Sequence, residues 1–283
     1  MDLHIREMTP EDIDFATGCT CSVGWFSENR EAFECFLAAD PHGCFVATVG
    51  SQKAGICVAT RYQRHGFIGE LVITGEMRIH GIGRPLFTHA LNYLTGHGIE
   101  NIFLDGALNA VPFYENMGFR KICRSLRFKG KMREKKHDVV RRLRPEDMDS
   151  LCLKDENAFG DDRGFFLRFR LTRHPELCFV QEIDGETAGY IMARPGRGLL
   201  AVGPWALWDE KADPFSLLEH LSVETGEMVF RIGVLEKNQK VVQLLRSLAG
   251  VEETDYTWFM MRGQSTRLGN HPALYAIGSG EKG

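Results

Sequence analysis

The sequence repeats itself at a spacing of about 132 to 135 residues, and this repeat restricts the possible folds more than any other feature. The segment 6–14 recurs as 141–149, and both copies carry Pro-Glu-Asp where a helix would begin. The segment 44–55 recurs as 178–189, starting on Cys-Phe-Val and ending on Ala-Gly in both copies. Because the spacing hardly changes along the chain, the sequence predicts a tandem duplication of one structural unit.

The order of predicted elements within each copy is typical of an α/β unit. In the first copy, strands are expected at 43–49, 54–62, 67–74, 101–105 and 121–128, with helices at 84–96 and 110–117. Helices that alternate with strands indicate a mixed, mostly antiparallel sheet flanked by helices. We expect an N-terminal domain over 1–130, a polar linker over 131–138 and a C-terminal domain over 139–283, whose tail adds a strand near 273–277.

One loop of the first copy is suited to binding a phosphate. It follows an apolar strand and precedes an amphipathic helix, with Gly81 and Gly83 three and five residues after Arg78. Glycine lets a turn approach a ligand because no Cβ blocks the way. The N–H groups of the turn then meet the positive end of the helix dipole, which favours a phosphate or pyrophosphate. The predicted phosphate loop consists of Arg78, Ile79, His80, Gly81, Ile82, Gly83 and Arg84.

A second motif lies about thirty residues later, where Ala110 begins a short helix that presents Tyr114 and ends at Gly118-Phe119. Together the loop and this helix resemble the GNAT superfamily of acyl-CoA-dependent N-acyltransferases. Members of that superfamily carry Gln/Arg-x-x-Gly-x-Gly/Ala after the fourth strand and Ala-x-x-x-Tyr-x-x-x-Gly-Phe after the fifth. Looser motifs, among them Gly24-Trp25 and the segment 259–263, are similar to the YitH-like branch of the superfamily.

The resemblance implies direct transfer of an acetyl group from acetyl-CoA to a primary amine of a small molecule or peptide. Tyr114 would be the general acid, since a tyrosine of ordinary pKa near 10 stays protonated at neutral pH and can protonate the leaving thiolate. A backbone N–H of Ile73 or Thr74 would stabilise the oxyanion. Many relatives hold the cofactor arm with an asparagine where this chain has Ala107, so the nearby Asn109 is expected to make only a weak cofactor contact.

Other candidates follow from residue type and position. Glu70 is the candidate general base, because a carboxylate on a mostly apolar strand can accept a proton near neutral pH; a solvent-facing strand residue is the alternative. Trp25 could line the acceptor pocket and Arg61 could bind an acidic acceptor, although both positions also suit ordinary packing or a hairpin tip. His65 and Asp105 are weaker candidates, since each also suits a turn or the end of a strand.

The second copy lacks both motifs. Three carboxylates lie within 208–214, where the first copy has its glycines, and they would repel a phosphate. Leu245 takes the place of Tyr114 and cannot donate a proton, whereas Asn238 occupies the position of the cofactor-arm asparagine. We therefore expect a catalytically silent second half that shapes the acceptor pocket or stabilises the pair.

Composition excludes several other classes of protein. A net charge of −4 argues against nucleic acid as a partner, even though the linker is locally basic. No apolar run approaches the ~20 residues that cross a membrane, and the eight cysteines do not have the spacing of a metal site. We expect a cytoplasmic protein that needs no metal, with an oligomeric state that the sequence leaves open. A non-catalytic acyl-CoA sensor remains the alternative function.

Overall fold

The computed structural model describes residues 2–25, 28–196, 198–226, 228–264, 268 and 271–279. In these ranges the protein has a mixed sheet flanked by helices, which confirms the predicted α/β fold class. The first half contributes β1 Leu3–Glu7, α1 Ile13–Ser22, α2 Arg30–Ala39, β2 Cys44–Val49, β3 Gln52–Arg61, β4 His65–Ile73, α3 Gly83–Gly96, β5 Asn101–Gly106, α4 Val111–Asn116 and β6 Arg120–Gly130. The second half contributes β7 Val140–Arg142, α5 Met148–Phe159, α6 Gly164–Arg173, β8 Cys178–Ile183, β9 Glu186–Gly196, β10 Leu199–Leu207, α7 Pro214–Thr225, β11 Phe230–Leu235, α8 Gln239–Ser247, β12 Val251–Arg262 and β13 Leu274–Ala276. No helix in these ranges is both long and apolar enough to cross a membrane.

The internal repeat extends to side-chain contacts. Arg6 donates two hydrogen bonds to Asp12, at 2.6 and 2.9 Å, and Arg141 donates two to Asp147, at 2.7 and 2.9 Å. Each aspartate also accepts the backbone N–H of the residue three positions before it. Such bidentate pairs fix geometry as well as supplying energy. In each half, this ion pair therefore ties the first strand to the turn that follows it.

The strands of the described residues form one sheet, because each half gives its last long strand to the other. The strand order is β1-β2-β3-β4-β5-β12-β6-β11-β10-β9-β8-β7, with β13 beside β10. β12 of the second half pairs with β5, β6 of the first half pairs with β11, and the two exchanged strands lie side by side. The halves are therefore joined by continuous backbone pairing. The domain boundaries at 130 and 138 stay a prediction.

Alternation along the strands buries side chains on both faces of the sheet. In β2, Phe45 faces the apolar cluster under α3, whereas Val46 faces the cluster under α1 and α2. A further cluster joins the halves where the exchanged strand meets β5, and there the rings of Phe103 and Phe259 stack at 5.4 Å. The core thus continues across the junction of the two copies.

A buried carboxylate of the second half also fastens the turn before β4. Asp161, which is fully buried, accepts hydrogen bonds from the backbone N–H groups of Gln63, Arg64 and His65, at 3.2, 2.8 and 2.9 Å. Its Oδ2 also lies 2.8 Å from Nδ1 of His65. Burial opposes ionisation of Asp161, but the hydrogen bonds from His65, Arg64 and Asp162 outweigh it and lower the pKa of the carboxyl. The start of β4 is thereby fixed by the other half of the chain.

Candidate active site

A cavity of about 220 Å³ opens where β4 and β5 separate. The two strands are parallel and pair only from His65–Asn101 to Phe67–Phe103, so the remainder of β4 faces a cleft. Residues 68–71 line the cavity from the first half, and β10, β11 and β12 supply lining residues from the second. Both copies of the unit therefore build this one site.

Glu70 lies on the wall of this cavity in a strained part of β4. The pairing of β3 with β4 shifts by one residue here, since Ile56 lies opposite Val72 whereas Val58 lies opposite Gly69. Such a β-bulge redirects a side chain. Glu70 has φ +52°, a left-handed conformation that costs a residue other than glycine about 1–3 kcal/mol. The bulge brings this buried carboxylate to the cavity wall and uses strain to do so.

Tyr114 lines the same cavity from α4. Its ring packs against Phe87, Phe113 and Phe119, with centroids 5.4, 5.3 and 6.4 Å away. Burial, with a smaller contribution from Cys57, raises the pKa of Tyr114 above its ordinary value. The phenol is therefore held as a neutral proton donor, and the structure brings the predicted acid and the predicted base to one cavity.

The predicted phosphate loop is an exposed turn between β4 and α3. Gly81 has φ +70°, which favours glycine, and a Cβ at this position would meet no atom of the protein within 4 Å. Nε of Arg78 donates to the carbonyl of Ile73 at 3.1 Å and so ties the loop to the end of β4. Ile79 and His80 are exposed at the surface of the turn.

The amino end of α3 follows directly. The N–H of Leu86 donates to the carbonyl of Ile82 at 3.2 Å, and the amides of Gly83 and Arg84 come before it in the first turn. The side chain of Ile82 is fully buried and anchors this end of the helix in the core. The guanidinium of Arg84 lies 5.9 Å above the ring of Phe113. An anion at this helix end would meet backbone donors and a nearby positive charge.

The two candidate oxyanion donors differ in their surroundings. The N–H of Thr74 donates to the carbonyl of Ala54 at 2.9 Å, and its Oγ1 donates to the same oxygen at 3.2 Å. Successive residues of a strand direct their N–H groups to opposite sides. The N–H of Thr74 is thus engaged with β3, and by this alternation we expect the N–H of Ile73 to be directed toward the cleft.

The remaining candidates are placed differently. Trp25 lines the cavity and is 39% exposed. Asn109 lies on an exposed turn and is not part of the cavity wall. The structure does not bring Arg61 to Glu70 and Tyr114, because its Nε lies 3.6 Å from Oδ2 of Asp40 and it lines a separate small pocket.

Sequence reasoning missed most of the charged residues of the cavity. Three ion pairs contribute to its lining: Arg127 with Asp105 at 2.7 Å, Arg194 with Glu28 at 2.9 Å and Arg231 with Asp255 at 3.1 Å. The second pair joins the two halves. No spacing in the sequence could pair residues that lie more than 160 positions apart.

Asp105 is a member of this group with one carboxylate oxygen that the described residues leave without a hydrogen bond. Its Oδ2 accepts hydrogen bonds from Arg127 and from the hydroxyl of Ser125 at 3.0 Å. Its Oδ1 is buried and has no hydrogen-bond partner among the described residues. A buried carboxylate oxygen in that state is costly, and a donor group of a bound ligand would relieve the cost.

In the described part of the second half, the turn before the corresponding helix α7 is built differently from the phosphate loop. Asp213 caps α7 by accepting the N–H of Phe215 at 3.1 Å, and Asp209 accepts the N–H of Lys211 at 2.8 Å. The protein's own carboxylates thus occupy the helix end that an anion would need. Leu245, at the position of the tyrosine, is fully buried in the core.

Comparison with known families agrees with this division into two related halves. The model of the acetyltransferase (GNAT) family matches residues 10–119, and the model of the acetyltransferase (GNAT) domain matches residues 152–276. The two matched ranges lie on either side of the predicted linker. No curated protein matches the chain. The narrower YitH-like assignment stays a prediction.

Solved structures share the fold over nearly the whole chain. A candidate acetyltransferase from Pyrococcus horikoshii has a TM-score of 0.81 at 21% identity, covering 100% of this chain and 96% of its own. A tandem GNAT protein from the clavulanic acid biosynthesis pathway has a TM-score of 0.64 at 13% identity, with 93% and 99% covered. A GCN5-related N-acetyltransferase from Sphaerobacter thermophilus has a TM-score of 0.62 at 13% identity, with 94% and 98% covered. The two matched domains and this shared tandem fold place the chain in the GNAT superfamily of acetyltransferases, with one GNAT domain in each half.

Proposed function

We propose that the first half transfers an acetyl group from acetyl-CoA to the primary amine of a small polar acceptor, and that the second half is catalytically silent. The observation that carries the proposal is the position of Tyr114 and Glu70 on the wall of one cavity, beside the cleft between β4 and β5. A proton donor and a proton acceptor at one site are what acyl transfer to an amine requires.

The residues of the first half suit acetyl-CoA as the acetyl donor. The amides of Gly81 to Arg84 would hold the pyrophosphate at the start of α3. The open side of β4 would take the arm that leads to the thioester. The N–H of Ile73 would then be the donor that meets the developing oxyanion.

The reaction follows from these placements. The acceptor amine loses a proton to Glu70, directly or through water, and its nitrogen attacks the thioester carbonyl carbon. A C–N bond forms and gives a tetrahedral intermediate. The C–S bond then breaks, and Tyr114 gives its proton to the departing thiolate. The nitrogen of the intermediate loses its second proton to water, Tyr114 regains a proton through solvent, and the products are the acetamide, free CoA thiol and the one proton that the ammonium group brought.

The cavity walls favour a small polar acceptor. Among the described lining residues are four carboxylates and three guanidiniums, and each guanidinium is already paired with a carboxylate. Glu70 adds a fourth carboxylate to the wall, where an ammonium group of the acceptor would be favoured. Oδ1 of Asp105 offers a further acceptor for an N–H or O–H of the substrate. A volume of about 220 Å³ suits a molecule of amino acid or amino sugar size.

The test is an assay of thiol release from acetyl-CoA with a panel of amines, with the product identified by mass spectrometry. The panel contains amino acids, amino sugars, diamines, short peptides and apolar arylamines. We expect at least one polar amine to be acetylated and the arylamines to be poor acceptors. Binding of acetyl-CoA without acetylation of any amine would contradict the proposal and would favour the acyl-CoA sensor.

A further inference from the structure

The two halves contain the same cleft, but only one of them is open. In the first half, β4 and β5 pair over three residues and then diverge. In the second half, β10 and β11 do the same, pairing from Leu200–Phe230 to Val202–Ile232. The first cleft leads to the cavity of Tyr114. The second is filled by the chain itself.

The segment 271–279 fills that second cleft and bonds to both of its edges. β13 pairs with β10, placing Ala276 opposite Trp205, and the N–H of Leu207 donates to the carbonyl of Ala273 at 2.9 Å. On the other edge, the N–H of Ile277 donates to the carbonyl of Gly233 in β11 at 3.0 Å. The segment therefore bridges the two diverging strands.

The side chain at the start of α8 holds the same segment. Nδ2 of Asn238 donates to the carbonyl of Leu274 at 2.5 Å and lies 3.3 Å from that of Pro272, while its Oδ1 accepts the N–H of Val241 at 3.4 Å. One amide side chain thus caps the helix and binds two carbonyl groups of the segment. Any other occupant of the cleft would have to displace these bonds.

The cleft is also shaped around the segment. Leu274, Tyr275 and Ala276 are at most 9% exposed. A Cβ at Gly203 would lie 2.0 Å from the carbonyl oxygen of Ile277, and one at Gly233 would lie 2.9 Å from its Cγ1. The contact at Gly203 is with a backbone atom, so the segment fits there only because residue 203 is glycine, whereas a side chain at position 233 would force that of Ile277 to shift. The segment and the second cleft are therefore complementary in shape.

The segment ends in the catalytic cavity. Ile277, Gly278 and Ser279 are part of the wall that also contains Glu70 and Tyr114. The hydroxyl of Ser279 is buried and has no hydrogen-bond partner among the residues that the structure describes. We propose that the segment 271–279 is a permanent internal occupant of the second cleft, and that Ile277 and Ser279 form a wall that selects the acceptor amine. The second part rests on the proposed acetyltransferase function.

Hydrogen exchange tests the occupancy without any turnover. In the full chain, the amides of 274–277 should stay protected with and without saturating acetyl-CoA, whereas peptides covering 78–86 gain protection when it binds. Asn238→Ala should speed exchange of 271–279 at least tenfold, because it removes the bonds to Leu274 and Pro272. Exposure of the segment by acetyl-CoA would overturn the proposal, because it would make the segment a displaceable plug. Unchanged exchange in Asn238→Ala would also count against the proposed anchoring.

Acceptor kinetics test the wall. Ile277→Ala should improve kcat/KM for bulkier amines relative to small ones by about fivefold or more, with an unchanged KM for acetyl-CoA. Ser279→Ala should raise the KM of hydroxylated or charged amines, again with an unchanged KM for acetyl-CoA. Ile183→Ala is the matched control, since this isoleucine is also partly buried but packs on the second-half core. Equal acceptor ratios in all variants would refute the selective wall. A wild-type chain that binds acetyl-CoA but acetylates no amine would overturn the proposed function and with it the selective wall, while the exchange result would still decide the occupancy.

Discussion

Replacing Tyr114 by phenylalanine removes one oxygen atom from the cavity and leaves the aromatic ring in place. The ring keeps its contacts with Phe87, Phe113 and Phe119, so we expect the variant to fold as the wild type does. A general acid contributes about 10² to 10⁴ in rate. The expected effect of Tyr114→Phe is therefore on turnover and not on stability.

The size of the loss follows from the cavity. At about 220 Å³ it could hold roughly seven waters at about 30 Å³ each, before substrates displace most of them. A remaining water can protonate the thiolate poorly, so we expect the lower part of the range. This is a loss of about 10² to 10³ in kcat, or about 3–4 kcal/mol in the activation barrier.

Steady-state kinetics and binding distinguish this loss from a structural effect. The Kd of acetyl-CoA should change by less than about twofold, because the hydroxyl is assigned to the leaving thiolate and not to the phosphates. Burial raises the pKa of Tyr114, so the acid form persists and the wild-type kcat should not fall on the alkaline side below about pH 10. A variant with wild-type kcat would refute the role of Tyr114. A fall in affinity equal to the fall in kcat would make it a binding residue.

Three further changes test other parts of the account. Glu70→Gln keeps the shape of the side chain but cannot accept a proton, so kcat should fall about 10²-fold while the affinity for acetyl-CoA stays unchanged. The control is Glu186→Gln at an exposed position, and equal losses of kcat in the two variants would remove Glu70 from the mechanism. Gly81→Ala places an alanine in a left-handed conformation at a cost of about 1–2 kcal/mol, so the affinity for acetyl-CoA should fall about tenfold. Gly98→Ala is the control, because Gly98 also has a positive φ, of +78°, but lies beyond the far end of α3. Similar acetyl-CoA affinities of the two variants would argue against the loop as the phosphate site. Asp161→Asn should lower the free energy of unfolding, measured by urea denaturation, by about 2–4 kcal/mol, because several buried donors lose a charged acceptor. The control is Asp149→Asn at an exposed position, for which the loss in free energy of unfolding should be less than about 0.5 kcal/mol. The pKa of Asp161 is lowered in the folded state, so this stabilisation is present above the unfolded pKa of about 3.9 and is lost as the pH falls through the folded value. A stability gap between Asp161→Asn and wild type that does not narrow as the pH falls below about 3.9 would contradict the assignment.

Local patterns in the sequence were sufficient to predict the repeat and the α/β class, and they also contain the two motifs on which the proposed site rests. These depend on residues close together in the chain, such as Gly81 and Gly83 before a helix, or the aspartates whose backbone contacts recur in both halves. The strand near 273–277 was also predicted, and the structure has it at Leu274–Ala276. What this strand occupies could not be predicted, since its neighbours lie far away in sequence.

The exchange of β6 and β12 could not be predicted for the same reason. Both strands could pair with β5 as far as local composition shows, and the choice depends on packing across the whole sheet. The bulge at Glu70 is another such feature, because nothing in an apolar strand marks the residue that adopts a positive φ. The position of Arg61 was not predicted, because its partner Asp40 lies at the end of α2, about twenty residues away from it in the chain. The cavity is built by such long-range contacts, so its charged wall became visible only in three dimensions.

The most direct test of the central claim is the stoichiometry of acetyl-CoA binding, measured by isothermal titration of the full chain. The claim is that one half binds and catalyses while the other is closed by its own carboxylates and by the segment 271–279. We expect one site per chain, with an affinity that Gly81→Ala weakens and Gly98→Ala leaves unchanged. Two sites per chain would contradict the silence of the second half, and no binding would contradict the acetyl-CoA site itself.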